Sequence, residues 1–276
     1  MFFYFGVLGQ AYGIEVYMRV FAISDLHLSF QAPFVSGGPA CQTYKPMDVF
    51  GPFWADHQQK IYDNWLATVA PDDAVLMPGD TSWGMTLEES RYDFDFLSVL
   101  PGTIYLGRGN HDYWWQGIGK VRAALPKNVI PLNHDSALVG GKAVCVTRGW
   151  LCPGANEWKE KEDRKIYSRE LLRLEMALQA GKALGAPLVA ALHYMPCNKQ
   201  GEESGFTELL RRYGVELCLY GHLHGEECAK AICAPRFGFP MVNVSADALA
   251  FRPILLWQID EDERPVEGES QATQKK

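Results

Sequence analysis

What most constrains this chain is a series of short apolar runs that do not alternate with polar residues: Val20–Ile23, Ala74–Met77, Thr103–Leu106, Ala143–Thr147, Leu188–Leu192, Glu216–Tyr220, Met241–Val244 and Ile254–Ile259. A strand with one wet face alternates. A strand covered on both faces does not, and such strands belong to α/β proteins. Helical patterns fill the gaps. Asp56 is placed to cap a helix running to Ala70, with Ile61, Trp65 and Val69 on one face and Pro71 as its stop. A second helix is predicted over 157–180, striped by Tyr167, Leu171, Leu174 and Leu178, with Gly181 at its C-terminal cap. A third, near 206–213, ends at Gly214, and a weaker one runs from Thr86 to Leu97. Residues 30–55 are rich in Pro, Gly and aromatics and read as an ordered insertion near the mouth of a site.

Five polar blocks punctuate this pattern: Asp25-Leu26-His27, Gly79-Asp80, Gly109-Asn110-His111-Asp112, His193, and Gly221-His222-Leu223-His224. They hold five of the seven histidines; His57 and His134 stand outside them. Each block follows an apolar run, so each falls just past the carboxyl end of a predicted strand, where open α/β sheets place their sites. Alone, an Asp-x-His or a Gly-Asp is a turn or a cap, and a single histidine after a strand is a core residue. Together, parallel strands bring two Asp, one Asn and four or five His to one place. Imidazole, carboxylate and amide oxygen suit divalent ions such as Mn, Fe, Zn or Ni. Seven ligands exceed the needs of one tetrahedral ion, whereas two ions sharing a carboxylate use them all.

The ordered set, D-x-H, GD, GNHD, H and GHxH over residues 25–224, resembles the signature of the calcineurin-like metallophosphoesterases, and looks closest to predicted bacterial phosphohydrolases of that superfamily. The resemblance implies a four-layer α/β/β/α sandwich with two facing mixed sheets. It implies that Asp25, His27, Asp80 and His224 hold one metal and that Asp80, Asn110, His193 and His222 hold the other, with Asp80 bridging. His111 would protonate the leaving oxygen or stabilise the phosphoryl charge, with Asp112 setting its orientation. Two ions of this kind lower the pKa of a bridging water, orient the phosphoryl group for in-line attack by the resulting hydroxide, and neutralise the growing charge. The substrate implied is a small phosphomonoester or phosphodiester. One departure matters. Protein phosphatases of the superfamily follow GD with V-D-R-G, and this chain has Thr81-Ser82-Trp83-Gly84, without the phosphate-gripping arginine. Arg108 and Arg148 are candidate substitutes, and Trp83, Tyr113 and Trp114 are candidate walls for a base or ring. For Tyr113-Trp114-Trp115 a packed helix start explains the residues as well.

The net charge of −7 disfavours tight non-specific binding of polyanions. A DNA-processing nuclease on the same fold would want a basic groove. A non-catalytic scaffold would show eroded ligands, and all seven positions are filled. The seven cysteines lack a CxxC and sit largely in apolar runs, which suits buried thiols in a reducing, cytoplasmic setting. Residues 1–17 are apolar and aromatic, but no Lys or Arg precedes Arg19 and glycines interrupt the run, so it fits neither a signal peptide nor a membrane span. We expect a dispensable extension over 1–17, one domain over 18–259, and a charged, flexible tail over 260–276.

Overall fold

The structure is a computed structural model that describes residues 16–37, 43–231 and 235–260. Within them the chain forms two five-stranded sheets. The first contains β1 (Val16–Ala22), β2 (Ala74–Met77), β3 (Thr103–Leu106), β4 (Val129–Pro131) and β10 (Ile254–Asp260), in the order β10-β1-β2-β3-β4. The second runs β5 (Asp135–Val139), β6 (Lys142–Thr147), β7 (Leu188–Leu192), β8 (Leu217–Tyr220) and β9 (Met241–Asn243) in chain order. Strands β1 and β10 pair antiparallel, as do β5 and β6; every other pair is parallel.

The apolar runs fail to alternate because each strand is covered twice. Val20 and Ala22 of β1 and Ala74 and Leu76 of β2 face Val144, Val146, Val189, Ala191 and Leu219 across the space between the sheets. Their neighbours Phe21, Val75, Met77 and Ile104 point the other way. There they meet Ile61 and Trp65 of α1 (His57–Leu66), Phe94 and Leu97 of α2 (Arg91–Ser98) and Val121 of α3 (Ile118–Ala124). On the far side, Cys145, Ala190, Leu192 and Cys218 pack on Leu174 and Leu178 of α4 (Glu160–Ala183) and on Phe206 and Leu210 of α5 (Gly205–Tyr213). Burial of both faces of both sheets is the main stabilising contribution, and the layers are α/β/β/α as the resemblance implied.

Several local expectations are corrected. Asp56 does stand at the N-terminal cap of α1, but its backbone is left-handed (φ 52°) and its side chain accepts no cap hydrogen bond. Helix α1 ends at Leu66, short of Ala70. Gly181 is not a cap; it lies inside α4, where a Cβ would overlap the Cys145 Sγ, so its bareness lets α4 press onto β6. By contrast Gly214 does end α5, in the left-handed conformation expected of a C-terminal glycine (φ 71°). Strands β4 and β5 and helix α3 were not anticipated. β4 has three residues, and β5 is an edge strand with mostly part-exposed positions. Strand β1 starts at Val16, which pairs with Asp260. The rest of the expected extension and tail, Cys41, Cys233 and residues 38–42 of the insertion lie outside the described residues.

The two sheets are joined at one end. Ser24, leaving β1, forms a parallel bridge with Ser245 beyond β9. The Ser24 N–H donates to Val244 O at 2.7 Å and Ser24 O accepts from the Ala246 N–H at 2.9 Å. This end carries all five polar blocks. No described helix is long and apolar enough to cross a membrane.

Candidate metal centre

The blocks converge as two side-chain groups. Asp25, His27 and His224 form one, and Asp80, His193 and His222 the other; within each group the ligand atoms lie within 4.8 Å of one another. Asp25, His27 and Asp80 come from the first sheet, His193, His222 and His224 from the second. The backbone turns sharply to deliver them: Asp25 (φ 59°), His27 (φ 48°), Asp80 (φ 52°) and His222 (φ 69°) are all left-handed. That conformation is uncommon away from glycine and costs on the order of 1–3 kcal/mol per residue, and it clusters at functional sites. The close approach also dictates a glycine. A Cβ on Gly221 would overlap Asp25 Oδ2 and Ser24 Oγ.

The donor geometry fits a pair of cations. His27 Nε2 and His224 Nε2 face each other at 3.1 Å. His193 Nε2 lies 2.7 Å from Asn110 Oδ1 and 3.3 Å from Asp80 Oδ2. Asp80 Oδ1 accepts from the His111 N–H at 2.7 Å. Its other oxygen, Oδ2, is buried without a well-directed donor, between His193 Nε2 at 3.3 Å and His27 Nε2 at 3.9 Å, one from each group. This acidic oxygen lies within 4 Å of an imidazole nitrogen from each group. Buried carboxylates are rarely left unpaired.

Electrostatics hold the acids ionised. Burial opposes the charge on Asp25, but His193 and His224 outweigh it and keep the carboxyl at about 2. Asp80 is driven down as well, His193 overcoming the effect of burial. Burial presses His27 and His222 to about 3, leaving neutral rings able to donate a lone pair. His224 goes the other way: burial lowers it, yet Asp247 and Asp25 raise it to about 10. Asp247 Oδ1 sits 2.9 Å from His224 Nδ1, and its other oxygen accepts from the Gly225 N–H at 2.8 Å. A carboxylate behind an imidazole fixes the ring and its tautomer. Sequence reasoning missed Asp247, which stands in an unremarked Ser-Ala-Asp stretch after β9.

Asp112 has a different task from the one expected. Its Oδ2 accepts from the backbone N–H groups of Gly109 (2.7 Å) and Asp80 (2.9 Å), and its Oδ1 accepts from that of Thr81 (2.9 Å) and from Trp114 Nε1 (3.1 Å). It ties the Gly79-Asp80 turn to the Gly109-Asn110 turn and makes no hydrogen bond to His111, whose Nδ1 has no partner. Burial and the charge of Asp80 raise its carboxyl to about 6 despite those donors. His57, outside the blocks, is a core residue whose Nε2 meets Leu26 O at 3.1 Å.

The candidate substrate contacts separate. Trp114 is fully buried against Phe94 and is corrected from site wall to core. Tyr113 is exposed, 6.1 Å from the His111 ring. Arg148 is held by buried Glu170 at 3.3 Å and lies 4.5 Å from the Trp150 ring, and Arg108 has Arg148 and Asp112 as charged neighbours. Trp83 does reach the centre. It stacks on His27 (4.7 Å, 22°) and lies 4.2 Å from His111. Its ring is also covered by Lys45 Nζ at 3.1 Å, so it offers an edge rather than a free face. Met47, Phe50 and Trp54 of the 30–55 insertion complete a cavity of about 270 Å³ with these rings.

The sequence profile of the calcineurin-like phosphoesterases matches residues 18–226. No curated protein matches the chain. Among solved structures, "The Crystal Structure of the Protein of Unknown Function AQ665 from Aquifex aeolicus" is similar at 16% identity and a TM-score of 0.46, over 86% of this chain and 95% of that one.

Proposed function

The chain belongs to the calcineurin-like phosphoesterase family, and we propose that it is a dinuclear metal-dependent phosphohydrolase acting on a small phosphomonoester or phosphodiester. The observation that carries the reading is the undirected Oδ2 of Asp80 between the two ligand groups. In this reading Asp25, His27, Asp80 and His224 hold one ion, and Asp80, Asn110, His193 and His222 the other. Nitrogen and oxygen donors without thiolate suit Mn, Fe, Zn or Ni. Two such ions, when bound, supply an activated water and neutralise charge on the phosphoryl oxygens.

The chain's own residues do the rest. His111 borders the cavity and hands a proton to the departing oxygen. Burial holds its ring below the ordinary value, with Asp80 opposing; a docked phosphoryl anion works in the same direction as Asp80, toward the protonated form. Asp247 orients His224, and Asp112 fixes the two turns that present Asp80 and Asn110. Lys45 Nζ lies 3.1 Å from the ring of Trp83, the residue at the place of the missing arginine. A cytoplasmic setting belongs to the same proposal, supported by the buried free thiols of Cys145, Cys152, Cys197 and Cys218.

The test is reconstitution with Mn, Fe, Zn or Ni followed by elemental analysis and assay on p-nitrophenyl phosphate and bis(p-nitrophenyl) phosphate. We expect two equivalents per chain and metal-dependent turnover. A folded protein that holds one equivalent or less, or holds two and cleaves neither ester, refutes the proposal.

A further inference from the structure

The two ligand groups border different cavities. The first, of about 270 Å³, is walled by Met47, Phe50, Trp54 and Trp83 and touches His27, His111 and His224. The second, of about 220 Å³, is walled by Leu151, Cys152, Tyr194 and Met195 and touches His222. Each has room for several times the ~30 Å³ share of one water molecule. Their walls are mainly apolar, and an apolar wall gains by covering an apolar group.

A phosphomonoester has one organic arm, and a phosphodiester has two. Resting on the phosphohydrolase reading above, we propose that the substrate class is the phosphodiester, with its leaving arm in the cavity beside His111 and its retained arm in the cavity beside His222. His111 decides the direction. It borders only the first cavity, and the departing oxygen is the one that needs a proton. The walls decide the character of the arms. Trp83 is covered by His27 on one side and Lys45 above its ring, so the leaving arm meets ring edges, Met47 and Phe50 rather than a stacking face. At the rim of the second cavity Lys199 pairs with Glu227, and with Glu157 at 3.2 Å. That ammonium is already neutralised, so the retained arm is an uncharged organic group, not a second phosphate. A monoester would leave one apolar cavity to water and forgo the orientation that remote contacts provide.

The reaction balances as a hydrolysis. The water oxygen bonds to phosphorus and the P–O bond to the leaving arm breaks. The proton held by His111 goes to the leaving oxygen, and a proton of the attacking water restores His111. The products are a phosphomonoester, still seated by its retained arm, and an alcohol.

The test compares kcat/KM for bis(p-nitrophenyl) phosphate and p-nitrophenyl phosphate in the metal-reconstituted protein, its Ala155→Trp variant and its Leu151→Phe variant. Both substitutions enlarge side chains that line the second cavity, and melting curves report whether each variant folds. We expect the native protein to favour the diester at least tenfold. We also expect a folded variant to lose at least tenfold more activity on the diester than on the monoester. Equal or better turnover of the monoester overturns this inference and leaves the phosphohydrolase reading standing. So does an equal loss on both esters in a folded variant. No turnover of either ester removes both.

Discussion

His111 and His193 each bring one imidazole to the same few ångströms, and their surroundings set them apart. His193 is fully buried, with Nε2 at 2.7 Å from Asn110 Oδ1. His111 stands at the cavity wall, with Nδ1 unpartnered. We expect His111→Ala to keep its metal and lose about 10²–10⁴-fold in turnover, more for an alkyl ester than for a nitrophenyl ester whose leaving group needs little help. His193→Ala is expected to lose metal and activity together. Elemental analysis beside the two assays separates the cases, and an emptied site in His111→Ala would make it a ligand instead. Asp247 makes a prediction of its own. Removing the carboxylate behind His224 in Asp247→Ala should weaken metal binding by about 10–100-fold without deleting a ligand, read by competition with a chelator. An unchanged affinity would show that the ring is oriented by Asp25 alone.

At the scale of elements the turns matter more than the strands they follow. Asp112 gathers backbone donors from two separate turns, so Asp112→Ala leaves several buried N–H groups without an acceptor. Each such group costs about 1–3 kcal/mol, and we expect the metal-free protein to lose at least about 3 kcal/mol in denaturant unfolding. A loss below about 1 kcal/mol would mean that the turns hold without it. The strands were legible because burial on both faces writes itself as unbroken apolar runs, and Ala74–Met77, Thr103–Leu106 and Leu188–Leu192 have the boundaries expected. The ligand blocks were legible because they follow those runs. Asp247 and Trp54 were not, since their importance lies in what they touch across the fold. Nor was the left-handed backbone of Asp25, His27, Asp80 and His222, because the enrichment of Asp and His in that region is too weak to single out these positions among the chain's other acids and histidines. Trp114 misled for a related reason: sequence places it beside His111, while the turn sends its ring into the core.

For the molecule as a whole, the pairing of β1 with β10 sets what the chain can lose. A chain starting at Met18 gives up only the outermost pair, Val16 with Asp260, and keeps the register from Met18 through Ala22. We expect it to fold, to keep its activity and to melt within about 4 °C of the full chain, the shift that roughly 1 kcal/mol makes at this size. Loss of solubility or activity would place residues 1–17 in the core. The same pairing has a consequence on the ribosome. Among the described strands β1 is the first to be made and β10 the last, and at about 5–20 residues per second its partner emerges on the order of ten seconds or more later. For that interval one edge of the nascent sheet stands open to any other extended chain. Arg19 sits on that strand, and its guanidinium finds Asp73 at 2.6 Å once β2 is near. That pairing lies on the β2 side, so until β10 arrives to close the sheet the opposite edge of β1 has no strand beside it.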